Sequence, residues 1–155
     1  MVTTAHPGPA RTDIPASMVQ AMIDHARADY PNEACGVIVG DRPAAAGGQA
    51  SRFEATRNEA RSPYRYNIEP ADLYRLAVAI DDADDVFWGI VHSHTHSPAV
   101  PSPTDLGLAF YPDALYVLVS LSGDEADRAT GTPSVRAWRI VEGEMHEVIL
   151  DIVEG

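Results

Sequence analysis

The sequence contains no lysine. Its 11 basic residues are all arginine, and 23 acidic residues bring the net charge to −12 at pH 7. Nucleic-acid binding relies on clustered basic side chains that displace counterions from phosphates, so this balance argues against DNA or RNA as a partner. Cysteine is nearly absent as well. Cys35 stands alone, has no internal disulfide partner, and fits a reducing, cytoplasmic setting. No apolar run approaches the roughly 20 residues of a membrane-spanning helix, so no membrane partner is expected. The opening stretch MVTTAHPGPARTD shows neither the basic cap nor the apolar segment of a signal peptide.

What remains is an ordinary globular composition, 45% hydrophobic and 22% charged over 155 residues, enough for one domain with its own core. Residues 1–13 lack periodicity and read as a flexible tail, which leaves 14–155 as a single domain. The spacing of Met18, Val19, Met22, Ile23 and Ala26 predicts a helix from Pro15 to Tyr30, stopped by Pro31. Cys35 to Val39 is a short apolar run closed by Gly40, the pattern of a buried strand. A turn over 41–50 and a second strand from Ser51 to Asn58 follow. Pro70 opens a second helix with Leu73, Leu76, Ala77 and Ile80 as its inward stripe. The acidic run Asp81, Asp82, Asp84, Asp85 reads as its solvated end, because nothing there would converge the carboxylates on calcium. Strands are predicted at Val86–Val91 and Leu115–Leu121, a helix start at Thr104 or Asp105, a polar loop over 122–133, and a closing hairpin around Glu142-Gly143-Glu144. This order gives a mixed sheet flanked by helices, α/β or α+β.

The chemistry concentrates in the stretch from Val91 to Asp105. Residues two apart on a strand share a face, so His92 and His94 present paired imidazoles at the end of a buried strand. Pro98, Pro101 and Pro103 stiffen the following loop and bring Asp105 back towards them. Two imidazoles and one carboxylate suit zinc and leave a fourth position open. A single histidine in such a place is ordinarily a polar loop residue, and a lone H-x-H pair is weak. Other H-x-H families fit poorly. A cupin carries a glutamate shortly after the second histidine, where this chain has Ser97-Pro98-Ala99, and too few residues follow His96 to build an amidohydrolase barrel.

His92-Ser93-His94, seven residues, Ser102, two residues and Asp105 resembles the JAMM signature of MPN-domain metallopeptidases, H-S/T-H-x7-S-x2-D. Asn32-Glu33-Ala34-Cys35-Gly36-Val37 resembles the glutamate-bearing strand start that precedes it in that family. Within the family the chain is most similar to the bacterial branch that works on sulfur-carrier proteins. Departures are Thr95, where many members carry proline, and the extra His96, expected to share a face with the ligand pair and to compete for metal.

The resemblance implies an MPN fold, a cytidine-deaminase-like mixed sheet, with Zn2+ held by His92, His94 and Asp105. It implies Glu33 as general base and Ser102 as the donor to the oxyanion. Taken alone, Glu33 would be a surface carboxylate, Ser102 a turn residue, and Asp105 a helix cap or first-turn acid. The implied substrate is a small ubiquitin-like sulfur carrier, cleaved after its C-terminal Gly-Gly to release cysteine or a similar small group. Loops at 41–50 and 122–133 are too short to clamp ubiquitin. The family also includes catalytically silent scaffolds and allows a homodimer. Ser93 faces away from the ligands and is expected to brace the strand, Cys35, Trp88 and Trp138 are assigned to the core, and Tyr64 and Tyr66 are candidates for a substrate groove.

Overall fold

A computed structural model describes residues 8–122 and 131–155. Its elements are β1 (Arg11–Pro15), α1 (Ala16–Asp29), β2 (Cys35–Gly40), a 3-10 turn (Ala44–Ala46), β3 (Ala50–Thr56), α2 (Pro70–Asp82), β4 (Val86–His94), α3 (Pro103–Gly107), β5 (Leu115–Ser120), β6 (Ser134–Val141) and β7 (Glu144–Val153). The seven strands form one sheet in the order β1-β7-β6-β5-β4-β2-β3. β1/β7 and β4/β5 are parallel and the other pairs antiparallel, a mixed α+β arrangement.

Each face of the sheet carries its own core. α1 lays Met18, Met22, Ile23 and Ala26 on one face, against Ile38, Trp88 and Val117. α2 lays Leu76 and Ile80 on the other, against Val37, Ile90, Leu118 and Trp138. Both tryptophans are buried and bonded, Trp88 Nε1–H to Gly48 O at 2.7 Å and Trp138 Nε1–H to Ala99 O at 2.9 Å. An indole needs such an acceptor when taken out of water. The second bond pins the loop that follows β4.

The alternation along β4 breaks once, with direct consequence for the histidines. Phe87 packs on the α2 side and Trp88 on the α1 side, yet Ile90 again faces α2 and Val91 faces α1. The pairing with β2 slips at the same place, Ile38 opposite Gly89 but Val39 opposite Phe87. An extra residue in one strand shifts every later side chain to the opposite face. Without this bulge, Ser93 would point to the α2 side; with it, His92 and His94 do.

Several boundaries differ from the sequence reading. The tail expected over 1–13 already forms β1 from Arg11, parallel to β7 and tied by Arg11–Asp151 at 2.6 Å. A strand this short shows no period of its own, because its partner lies at the far end of the chain. Residues 1–7 of that tail, and 123–130 of the loop expected over 122–133, lie outside the described residues. Pro15 ends β1 and caps α1 instead of starting the helix. The closing hairpin turns on Glu142 and Gly143, both at positive φ (52° and 78°), the two-residue turn that suits twisted antiparallel strands.

The start of β2 is latched to the end of β4. Ala34 N–H donates to Ser93 Oγ at 2.8 Å, and Ser93 N–H donates to Ala34 O at 3.0 Å. The expected bracing role of Ser93 is thus visible as a bond to the residue after Glu33. Ser93→Ala leaves a buried amide without its acceptor and should cost about 1–3 kcal/mol in urea unfolding, with Ser93→Thr retaining most of it. An unchanged midpoint in Ser93→Ala would show the latch to be idle.

Candidate metal centre

His92 and His94 end β4 on the α2 side, both almost fully buried. The parallel step from β4 to β5 requires the chain to cross back over the sheet, and that crossover carries Asp105 over the two rings. His92 Nε2 lies 3.2 Å from Asp105 Oδ1, and His94 Nε2 lies 3.0 Å from Asp105 Oδ2. One ligand atom from each of the three residues lies within 4.8 Å of the others.

Asp105 is held by the helix it begins. Ser102 caps α3: its Oγ accepts Asp105 N–H at 3.1 Å, while Asp105 Oδ2 accepts Ser102 N–H at 2.8 Å. The cap is therefore Ser102, with Pro103 at the first helical position, one or two residues before the start expected at Thr104 or Asp105. Asp105 is both a first-turn acid and the carboxylate at the centre. With the acceptor side of Ser102 Oγ occupied, its hydroxyl proton is free for another acceptor.

Glu33 comes from the segment just before the neighbouring strand β2. Cys35 pairs with His92, and continuing that antiparallel register places Glu33 opposite His94. Its side chain is 4% exposed, and Oε1 is buried without a hydrogen-bond partner among the described residues. Its backbone is fixed by Glu33 N–H to Ser62 O at 2.8 Å and by Asn58 Nδ2–H to Glu33 O at 3.0 Å.

Electrostatics follow from burial. Desolvation pushes Glu33 up to about 8, partly opposed by His94 and reinforced by Asp105. Burial also lowers His92, against the pull of Asp105. For Asp105 burial acts upwards, but the imidazoles of His92 and His94 beside it outweigh that and hold the carboxyl far below the usual range. His94 is raised: burial opposes its charge, and bonds to Asp105 and Pro98 O prevail. The Cys35 thiol is buried, pushed up to about 11 chiefly by desolvation, and sits against Thr56 Oγ1 at 3.3 Å. It behaves as a core residue and not as a nucleophile.

The donor set fits a divalent metal. Neither ring nitrogen of His92 makes an aligned hydrogen bond among the described residues, although the ring is fully buried. Such orphaned nitrogens are costly unless something coordinates them. His94 Nδ1 is 2.7 Å from Pro98 O, the bond that keeps a proton on Nδ1 and reserves Nε2, 3.0 Å from Asp105 Oδ2, for a metal. Nitrogen and carboxylate donors of this kind match zinc.

His96 departs from expectation. β4 ends at His94, the chain turns, and His96 is exposed, 6.3 Å from the rings of Tyr30 and Tyr64. It does not share the face of the ligand pair. Tyr64 is 78% exposed, whereas Tyr66 stacks on His92 at 4.3 Å. Sequence reasoning named Tyr66 only as a groove candidate and missed Asn58 and the Pro98 carbonyl. No local spacing connects Asn58 or Tyr66 to the histidines.

The geometry has counterparts. Residues 15–141 match Prok-JAB, the prokaryotic homologs of the JAB domain, and the chain belongs to that family. It is 41% identical over 145 residues to the CysO-cysteine peptidase of Mycobacterium tuberculosis, covering 91% of this chain and 90% of the relative. The desampylase of Haloferax volcanii is 32% identical over 119 residues, 74% of this chain and 84% of that protein. A solution structure of a Desulfitobacterium hafniense protein superposes with a TM-score of 0.78 at 27% identity, covering 93% of this chain and 94% of that one.

Two measurements probe the site. Purified protein should take up one zinc per chain, and His94→Ala should lose it; a folded wild type that takes up no zinc would refute the metal reading. In metal-free protein the raised Glu33 pKa penalises the fold as pH rises from about 4.5, fully so above about 8. Metal-free Glu33→Gln should therefore gain stability over wild type across that window, at about 1.4 kcal/mol per pH unit at most. A difference independent of pH would mean that Glu33 ionises freely.

Proposed function

We propose that this chain is a zinc-dependent metallopeptidase that hydrolyses the amide bond after the C-terminal Gly-Gly of a small ubiquitin-like sulfur carrier, releasing cysteine or a similar small group. The observation that carries the chemistry is the convergence of His92, His94 and Asp105 beside the buried Glu33 carboxyl, whose Oε1 has no hydrogen-bond partner among the described residues. The substrate rests on the likeness to a CysO-cysteine peptidase, with the desampylase as a second relative acting in a related class.

His92, His94 and Asp105 would hold the zinc, which when bound supplies a Lewis acid for activating water and polarising a carbonyl. Glu33 takes the proton from the attacking water at its carboxylate and returns it to the leaving amine. Its buried carboxyl, opposite His94 in the strand register, is placed to carry a proton between the water and the leaving amine. Ser102, its acceptor side engaged by Asp105 N–H, turns its hydroxyl proton towards the oxyanion that forms on the scissile carbonyl. The ligands sit on β4 and α3 while the base sits at the start of β2, so removing the base leaves the ligand set intact. The lone, buried Cys35 agrees with work in the cytoplasm.

Glu33→Gln should keep zinc and carrier binding and lose about 10²–10⁴ in kcat. Wild type and Glu33→Ala should be given a carrier–cysteine adduct, a linked ubiquitin dimer and an unrelated unfolded protein. Glu33-dependent cleavage of the adduct alone is expected. Cleavage of the ubiquitin dimer without the adduct would overturn the substrate and leave the zinc chemistry standing.

A further inference from the structure

The two imidazoles of the centre are braced differently. His94 has a carbonyl behind it, Pro98 O at 2.7 Å from Nδ1, the usual support for a metal-ligating histidine. His92 has none: its Nδ1 is buried and without a hydrogen-bond partner among the described residues. Its ring lies instead against Tyr66, with centroids 4.3 Å apart and planes 20° from parallel. The ring of His94 is its second aromatic neighbour, at 5.1 Å and 64°.

Tyr66 is itself fastened. Buried Asn58 donates from Nδ2 to Glu33 O and to Arg65 O, each at 3.0 Å. Its Oδ1 accepts from Ala60 N–H and Asn67 N–H, also at 3.0 Å. All four of its hydrogen-bonding positions are used, and two of them grip the residues on either side of Tyr66. The backbone that carries Glu33 and the loop that carries Tyr66 thus hang from one amide.

We propose that Tyr66 is a positioning residue for His92, its ring stack standing in for the missing hydrogen bond at Nδ1. The proposal rests on the metal reading above. A ligand nitrogen must keep its lone pair aimed at the ion within about 10–20°. A hydrogen bond behind the ring achieves this at His94; at His92 a flat aromatic wall prevents the ring from tipping out of plane and keeps water away from Nδ1. The contact belongs to the ring, so the phenol hydroxyl is dispensable.

Cobalt(II) is the probe, since its visible spectrum reports coordination geometry, together with zinc competition against a chelator. Tyr66→Phe should match wild type in affinity and spectrum. Tyr66→Leu, which keeps bulk but no ring, should lose about 10–100-fold in affinity and alter the spectrum, with metal-free melting curves reporting the fold separately. Wild type provides a test that needs no variant. In nitrogen-15 NMR of the zinc-loaded protein, Nδ1–H of His94 should show a hydrogen-bonded shift, and that of His92 a shielded, unbonded one. Wild-type affinity and spectrum in Tyr66→Leu, or a hydrogen-bonded His92 Nδ1–H, would overturn the proposal; if Tyr66→Leu fails to fold, the NMR result decides. A wild type that binds neither metal would instead overturn the metal reading, and this proposal with it.

Discussion

The carboxylate of Asp105 is shared between the first turn of a short helix and two buried imidazoles, and much of the surrounding structure keeps it there. Its Oδ2 accepts the Ser102 amide and also meets His94, while Oδ1 meets His92. A five-residue helix has little stability of its own. α3 keeps its place because Ser102 and Pro103 set its start and because Trp138 grips the preceding loop through Ala99 O. The β4–β5 crossover is therefore a rigid arm, and its length decides whether the third donor reaches the pair on the strand.

The second constraint is register. Which face β4 turns to α2 is set by the bulge near Gly89, four residues before the first histidine's neighbour Ser93. Ser93 then faces the other way and latches the start of β2. One irregularity thus turns the two histidines to one face and the bracing serine to the other, and the latch fixes the segment before β2 that bears Glu33.

These features were unequally legible in the sequence. α1, α2, β2, β5 and the closing hairpin announce themselves because their apolar periods and turn residues act over a few positions. The convergence of His92, His94 and Asp105 was legible because a strand period and a proline-stiffened loop are both local. Glu33 was not: as a residue it looks like a surface acid, and only the resemblance singled it out. β1 escaped notice because its pairing with β7 spans nearly the whole chain, and the bulge because it depends on how β2 meets β4. The orientation of His96 was misjudged because period-two reasoning holds only while the strand lasts, and β4 stops at His94. Tyr66 reaches His92 through a loop whose course is set by the side chain of Asn58, a connection no spacing rule encodes.

The unequal support of the two histidines bears on how such a site divides its work. Asp105 and His94 form a hydrogen-bonded chain, running from Ser102 N–H through the carboxylate and imidazole to Pro98 O, that is complete without a metal. His92 stands outside that chain, fully buried, with its orientation left to ring contacts. Glu33 also stands outside it, with a buried oxygen that has no partner among the described residues. The centre is thus satisfied on one side and unsatisfied on the other, and the unsatisfied groups come from adjacent strands, β4 and the start of β2. A buried polar atom without a partner costs stability, so its persistence needs a compensating interaction that the bare chain does not contain. In the proposed reading, coordination would supply it for His92 Nε2, and a transferable proton would neutralise Glu33. The structural deficit lies where the proposed chemistry needs reactive groups, and the satisfied half keeps the geometry in which they act.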